Sequence, residues 1–400
     1  MMRCCISIAL ASIVLAWLAA PPAKAENWPQ WRGPRLNGTS DETGLASKWD
    51  AKTNIAWRLP LPGPAGATPV VWGDHIFLTS VDGTDLVLIA AETSGKPLWK
   101  RTMGTGNRAV RDEGNSASPS PCTDGKHVWA MMSTGILACY DFAGKEIWNV
   151  DLQKRYGRFE LQYVMASSPV LDGDRLYLQL IHSGGAGVLA LDKATGREIW
   201  KERRPSDARD ECEQAYASPI IYRDDKLSLL ISHGADYIVA HRLSDGREVW
   251  RCGGLNPKGR YNNTLRLVAS PAAVPGLIVA PSAKNGPVLG LRPDGHGDVT
   301  TTASAHVWTR PQNTPDVPSP VIHDGIVYLC RENGGLIVMD ATTGEQYYEH
   351  RVYSDRYRAS PVYADGKVYL TSRKGVITVV KAGKEFAQLA ENNMDEDISA

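Results

Sequence analysis

The sequence predicts an all-β propeller, and three observations carry that expectation: a Ser-Pro or Thr-Pro dipeptide recurs at near-constant spacing, each repeat holds four short apolar segments separated by turn residues, and most repeats end in tryptophan. The dipeptides are Thr68-Pro69, Ser118-Pro119, Ser168-Pro169, Ser218-Pro219, Ser270-Pro271, Ser319-Pro320 and Ser360-Pro361, with steps of 50, 50, 50, 52, 49 and 41 residues. Four strands of about five residues with tight turns fill a period of about 40–50 residues, which marks propeller blades rather than helical solenoids. No segment sustains a 3.6-residue apolar period.

Each dipeptide opens a short apolar strand, followed by Asp-Gly or a similar turn and an alternating strand such as Ile326-Val327-Tyr328-Leu329. A glycine turn leads to a third strand, as in Gly335 to Asp340, and Thr-Gly or Ala-Gly introduces a fourth. That fourth strand carries Trp99, Trp148, Trp200, Trp250 and, after an insertion, Trp308. Each tryptophan can bury on the order of 200 Å² against a neighbouring blade, so the set reads as packing between blades rather than as ligand stacking.

At the N-terminus Arg3 precedes an apolar run from Ile6 to Ala20, then Pro21-Pro22 and Ala23-Lys24-Ala25. This is the pattern of a signal peptide over residues 1–25, and it predicts export to a periplasmic or extracellular space. No later stretch approaches the roughly 20 apolar residues of a membrane-spanning helix. Cys4 and Cys5 precede the apolar run and do not form a lipid-attachment box. The 44 basic and 44 acidic residues balance, which excludes polyelectrolyte attraction to nucleic acid and requires any partner to be recognised locally. Composition does not shift along residues 26–400, as expected of one repeat domain.

The later cysteines are Cys122, Cys139, Cys212, Cys252 and Cys330, an odd number that does not make a disulfide scaffold. Cys212 and Cys252 fall in successive loops and bridge only if their Cα atoms approach within about 7 Å. Cys122 and Cys139, about two strand spacings apart in one blade, are not expected to pair.

The segment Ala190-Leu191-Asp192-Lys193-Ala194-Thr195-Gly196-Arg197-Glu198-Ile199-Trp200 resembles the tryptophan-docking motif of the quinoprotein alcohol dehydrogenase-like propellers, built from PQQ-like repeats. Weaker copies end at Trp99, Trp148 and Trp250; the sixth repeat has Tyr348 in that position and the seventh has neither residue near Phe386. The opening Trp28-Pro29-Gln30-Trp31-Arg32-Gly33-Pro34 resembles the lead-in of secreted members. The resemblance implies an eight-bladed type of propeller. Seven complete four-stranded blades are expected here, with Asn54-Ile55-Ala56-Trp57-Arg58 as an isolated fourth strand of a closing eighth blade. Ile398-Ser399-Ala400 resembles the approach to Ser118-Pro119, so that blade is expected to be truncated, lacking roughly 30 residues.

The connections from each fourth strand to the next first strand are the longest loops and share one face, where function on rigid scaffolds tends to collect. They are rich in arginine, tyrosine and acid, including Arg108, Arg111, Asp112 and Glu113. The residues just before each Ser-Pro enter the innermost strand, so Asn115, Gln162, Tyr163, Gln214, Tyr216, Arg266, Asp316 and Arg358 are expected to converge on one polar funnel. Arginine and tyrosine are the residue types enriched at binding hot spots. The reading is a scaffold that binds a protein, peptide or small polar ligand on this face, with no cofactor. Resemblance to the propeller subunit of the outer-membrane protein insertion machinery supports it.

The alternative implied by the family is a dehydrogenase of alcohols or sugars using pyrroloquinoline quinone and calcium. The exported chain lacks the adjacent cysteine pair that many such enzymes carry, and no catalytic or metal-binding residue is assigned. Gly104 to Ala109 fits a dinucleotide pattern but precedes no helix. Asp294-Gly295-His296-Gly297-Asp298 is too short for a calcium loop. The histidines lack zinc-site spacing, and no Gly-x-Ser-x-Gly elbow occurs.

Overall fold

The computed structural model describes residues 25–108 and 114–399. The segment through Lys24, the loop residues Arg111, Asp112 and Glu113, and Ala400 lie outside the described residues.

Each repeat folds into one antiparallel four-stranded sheet, giving seven blades. Blade 1 consists of Val70–Trp72, His75–Asp82, Asp85–Glu92 and Pro97–Thr105. The first strands of blades 2 to 7 are Cys122–Thr123, Val170–Asp172, Ile220–Arg223, Ala272–Val274, Val321–His323 and Val362–Ala364. Successive first strands touch one another, so they form the inner wall of the ring. The period-2 alternation of a strand serves both faces of a blade. In Arg175–His182, Leu176, Leu178 and Leu180 pack with Trp129, Met131 and Leu137 of blade 2, whereas Tyr177 joins Ile220, Tyr222 and Leu230 of blade 4. Blade 3 therefore seals against two neighbours. Among the described residues helix is limited to Leu152–Tyr156 and three short 3-10 turns, none long enough to cross a membrane.

The outer strands carry the docking tryptophans. Each indole N–H donates to a carbonyl of the next blade: Trp99 to Phe142 at 2.8 Å, Trp148 to Lys193 at 3.0 Å, Trp200 to Leu243 at 3.0 Å, Trp250 to Pro293 at 2.7 Å and Trp308 to Ala341 at 2.9 Å. The ring lies flat on the following turn, which leaves no room for a Cβ: one added at Gly196 would stand 2.7 Å from Trp148, and one at Gly246 2.5 Å from Trp200. Both glycines also have positive φ, 67° and 75°. Opposite each tryptophan on the third strand sits a small residue, Ala90, Cys139, Ala190, Ala240 or Gly290. Where the docking residue is Tyr348 or Ala390, the partner is valine, Val338 or Val379. Cross-strand volume is thus held roughly constant.

Two local expectations need correction. In blade 2 the strand begins at Cys122, so the repeat dipeptide is Ser120-Pro121 and not Ser118-Pro119; Ser118 instead closes the preceding loop, its hydroxyl donating to the Asn115 carbonyl at 2.7 Å. Asn54 to Arg58 is not a strand. Trp57 nevertheless docks as the others do, donating to Thr93 of blade 1 at 2.7 Å and lying over Gly95. The position of an eighth blade is taken by extended chain: Trp49 N–H donates to Asn392 Oδ1 and Asn392 Nδ2 to the Ser47 carbonyl, which fastens the segment to the outer strand of blade 7, Gln388–Asn393.

The insertion in blade 5 folds back so that Gly297–Asp298 pairs in parallel with the outer strand of blade 4 and covers Trp250 completely. Asp298 accepts from Thr300, and no metal-binding cluster occurs among the described residues. The five later cysteines are all buried and free, so Cys212 and Cys252 do not bridge.

Candidate functional site: the central channel and its mouth

The channel at the propeller axis encloses about 440 Å³. A ring of hydrogen bonds holds its wall. The backbone N–H groups of Thr68, Ser120, Ser168, Ser218, Ser270 and Ser319 donate to the hydroxyls of Ser120, Ser168, Ser218, Ser270, Ser319 and Ser360 respectively, at 2.8 to 3.0 Å. Proline after each serine has no N–H to offer, so the dipeptide turns the chain into the inner strand and the serine ties it to the blade before. This is the physical content of the Ser-Pro repeat.

One end of the channel is crossed by the N-terminal segment. Trp28 pairs with Val71 of blade 1, the Pro29 carbonyl accepts from Thr123 of blade 2, and Gln30 Oε1 accepts from Leu171 of blade 3. Arg32 then reaches the far side, donating from Nη1 to the Pro361 carbonyl at 2.7 Å and from Nη2 to Pro320 at 2.6 Å and Asn37 at 3.1 Å. Thr39 bridges to Tyr363 in blade 7. The segment spans the seam between the first and last blades, and Trp28, Trp31 and Arg32 become channel lining.

The other end opens on the loop face. Of the residues expected there, Tyr163, Tyr216, Arg266, Asp316 and Arg358 line the channel. Tyr163 and Tyr216 meet edge-to-face with centroids 5.7 Å apart, and Arg266 lies over the Tyr163 ring at 4.7 Å. Arg266 also pairs with Glu211 at 2.8 Å. The Tyr216 hydroxyl accepts from the Tyr163 N–H and donates to Gln214 Oε1 at 3.0 Å; burial pushes this phenol up to about 12. Across the opening, Arg358 pairs with Glu332 at 2.8 Å. Burial first, and then the Glu332 carboxylate, raise the Asp316 carboxyl above its ordinary range.

Asn115, Gln162 and Gln214 do not line the channel. Asn115 is buried and spends its side chain on the Ala117 N–H at 2.8 Å. Gln214 receives the Gln162 N–H at 2.8 Å and donates to Ser183, so the two glutamines join neighbouring loops at the rim. Arg32, Trp28, Trp31 and Arg373 were missed. The Trp28-Pro29-Gln30-Trp31-Arg32 run was visible as a lead-in, but nothing in a linear pattern shows that it crosses the axis.

A family model described as outer membrane protein assembly factor BamB matches residues 33–154, 85–316 and 295–385. The chain belongs to this PQQ-like repeat family. Among solved structures, BamB from Moraxella catarrhalis superposes with a TM-score of 0.63 at 15% identity, over 83% of this chain and 89% of that one. Quinohemoprotein alcohol dehydrogenase ADHIIG from Pseudomonas putida HK5 gives 0.65 at 12%, over 93% and 73%. Saccharomyces cerevisiae Sqt1 gives 0.60 at 10%, over 82% and 84%. At these identities the likeness is one of fold. No curated protein sequence matches the chain.

Proposed function

We propose that the chain is an exported scaffold that binds a protein partner, through an exposed peptide segment, at the channel mouth on its loop face. The observation that carries this reading is the cross-bracing of three successive loops. Gln162 and Tyr163 bond to Gln214 and Tyr216, the Tyr216 N–H bonds to the Leu267 carbonyl, and Arg266 returns to both Glu211 and Tyr163. A rim of tyrosine and arginine held in place before any partner arrives loses little ordering entropy on binding. Tyrosine and arginine are also the side chains that dominate binding energy at interfaces. The description of the family as an assembly factor agrees with this reading.

The quinone-dependent alternative asks more of the site. Calcium takes about six to eight oxygen ligands. Among the described residues the mouth and the hollow beside it offer Asp316, Glu332, Asp355 and Glu211; Glu332 and Glu211 are already held by Arg358 and Arg266, and Asp355 accepts the Lys374 N–H. This donor set does not fit a calcium-quinone centre.

The test is site-specific photocrosslinking in cells from position 163, with position 389 on the outer rim as control. A discrete adduct from 163 that is absent from 389 and lost on Arg266→Ala supports the scaffold. Adducts only from the outer rim, or dye-linked alcohol oxidation after reconstitution with pyrroloquinoline quinone and calcium that mouth substitutions abolish, would overturn it.

A further inference from the structure

The serine ring that fastens the inner strands has a second consequence. A hydroxyl carries one donor besides its lone pairs. In Ser120, Ser168, Ser218, Ser270, Ser319 and Ser360 the oxygen accepts the neighbouring blade's N–H, and none of the six O–H donors has an acceptor among the described residues. All six serines line the channel, and all but Ser360 are buried.

Beside this ring sits Arg32, 4% exposed and lining the same cavity. Its guanidinium is fixed by the carbonyls of Pro320 and Pro361, the residues that follow Ser319 and Ser360. It has no carboxylate within ion-pair reach among the described residues. Backbone carbonyls satisfy its donors but do not cancel its charge, and burial lowers its pKa to about 9. A ring of hydroxyls with unspent donors next to a buried cation that no carboxylate neutralises is an electrostatic setting that suits an anion with several oxygens. The walls above it, Val164, Val268, Val317, Tyr163 and Tyr216, suit an apolar body behind the charged head.

We propose that the channel binds an oxyanion, the carboxylate or phosphate head of a small molecule, at the serine ring against Arg32. This rests on the reading of the loop-face mouth as a binding entrance, because the N-terminal segment crosses the other end. The mouth admits the ligand body, and the ring and Arg32 hold the head.

Isothermal titration calorimetry on the whole exported chain tests this with succinate, inorganic phosphate and the neutral analogue succinamide. Saturable binding of succinate or phosphate, with none of succinamide, is expected, and the anion that binds identifies the head group. Arg32→Gln should weaken that binding at least about tenfold, since it removes a charged donor. Ala166→Trp, which puts an indole into the channel lining, should abolish it; this variant and the succinamide comparison decide the matter if Arg32→Gln does not fold. Absence of saturable binding by either anion, or equal binding of succinamide, or unchanged affinity in a folded Ala166→Trp protein, overturns the proposal. Crosslinking from position 163 reports on the rim independently. Its persistence alongside a negative titration leaves the scaffold reading standing and removes only the oxyanion site.

Discussion

Trp57 donates its indole N–H to the carbonyl of Thr93 at 2.7 Å, the bond that five strand-borne tryptophans also make to the blade that follows them. Trp57 makes it from extended chain and remains 38% exposed, whereas Trp250 is wholly buried. Trp250→Ala is therefore expected to cost about 3–5 kcal/mol, and Trp57→Ala about 1–2 kcal/mol from its smaller buried area and single hydrogen bond. Urea denaturation midpoints measure both. Equal losses would show that the eighth position is packed as tightly as a blade.

Ser218→Ala removes one oxygen and leaves the Ser168 N–H, buried in the channel wall, without its acceptor. An unmet buried donor costs about 1–3 kcal/mol. The loss should appear in the denaturation midpoint, and Ser218→Thr, which retains the hydroxyl, should recover most of it.

Acid should weaken blade 4 before it titrates most carboxylates. Burial lowers His233 to about 3 and His241 to about 4, and nearby Arg204 acts in the same direction on both. Their folded values lie below the unfolded value of about 6.5, so the unfolded chain binds protons first as the pH falls. Each histidine then removes about 1.4 kcal/mol of stability per pH unit, from about pH 6.5 down to its folded pKa. Melting temperature followed from pH 7 to pH 4 should decline, and His233→Gln should flatten the slope. A flat wild-type profile would contradict the burial.

Cys122, Cys139, Cys212, Cys252 and Cys330 should resist alkylation in the native protein and react fully in denaturant. Burial raises every one of these thiols, Cys139 and Cys252 to about 12, which suppresses the reactive thiolate. Peptide mapping after iodoacetamide measures this, and a labelled native Cys212 or Cys252 would mark an opening of that loop face.

The blades were legible because two local rules repeat: a Ser-Pro that starts each inner strand, and a tryptophan with a turn glycine one blade ahead of it. The register of blade 2 was ambiguous because Ser118-Pro119-Ser120-Pro121 offers two equivalent dipeptides, and the tertiary bonds from Thr68 to Ser120 and from Ser120 to Ser168 choose between them. Tyr163, Tyr216, Arg266, Asp316 and Arg358 were placed on the channel by their nearness to Ser-Pro. Asn115 obeyed the same rule and failed it, because a short polar side chain can satisfy its own loop instead. Arg32 was beyond this reasoning, since its partners Pro320 and Pro361 lie far away in sequence.

That separation, 329 residues between Arg32 and Pro361, bears on the order in which the molecule is made. Each blade contacts its sequence neighbours and can dock as it emerges, but residues 28–39 must wait for the last two blades before Arg32 can bond Pro320 and Pro361 and Gly38 can accept from Tyr363. Closing so long a loop is entropically slow. The seam should therefore be the last joint to form, and interactions absent from the folding transition state are those that govern how slowly a protein comes apart. The lifetime of the ring under proteolytic challenge should accordingly be set by the dozen residues of this crossing segment, while the seven blades determine how much free energy there is to lose once that clasp has opened.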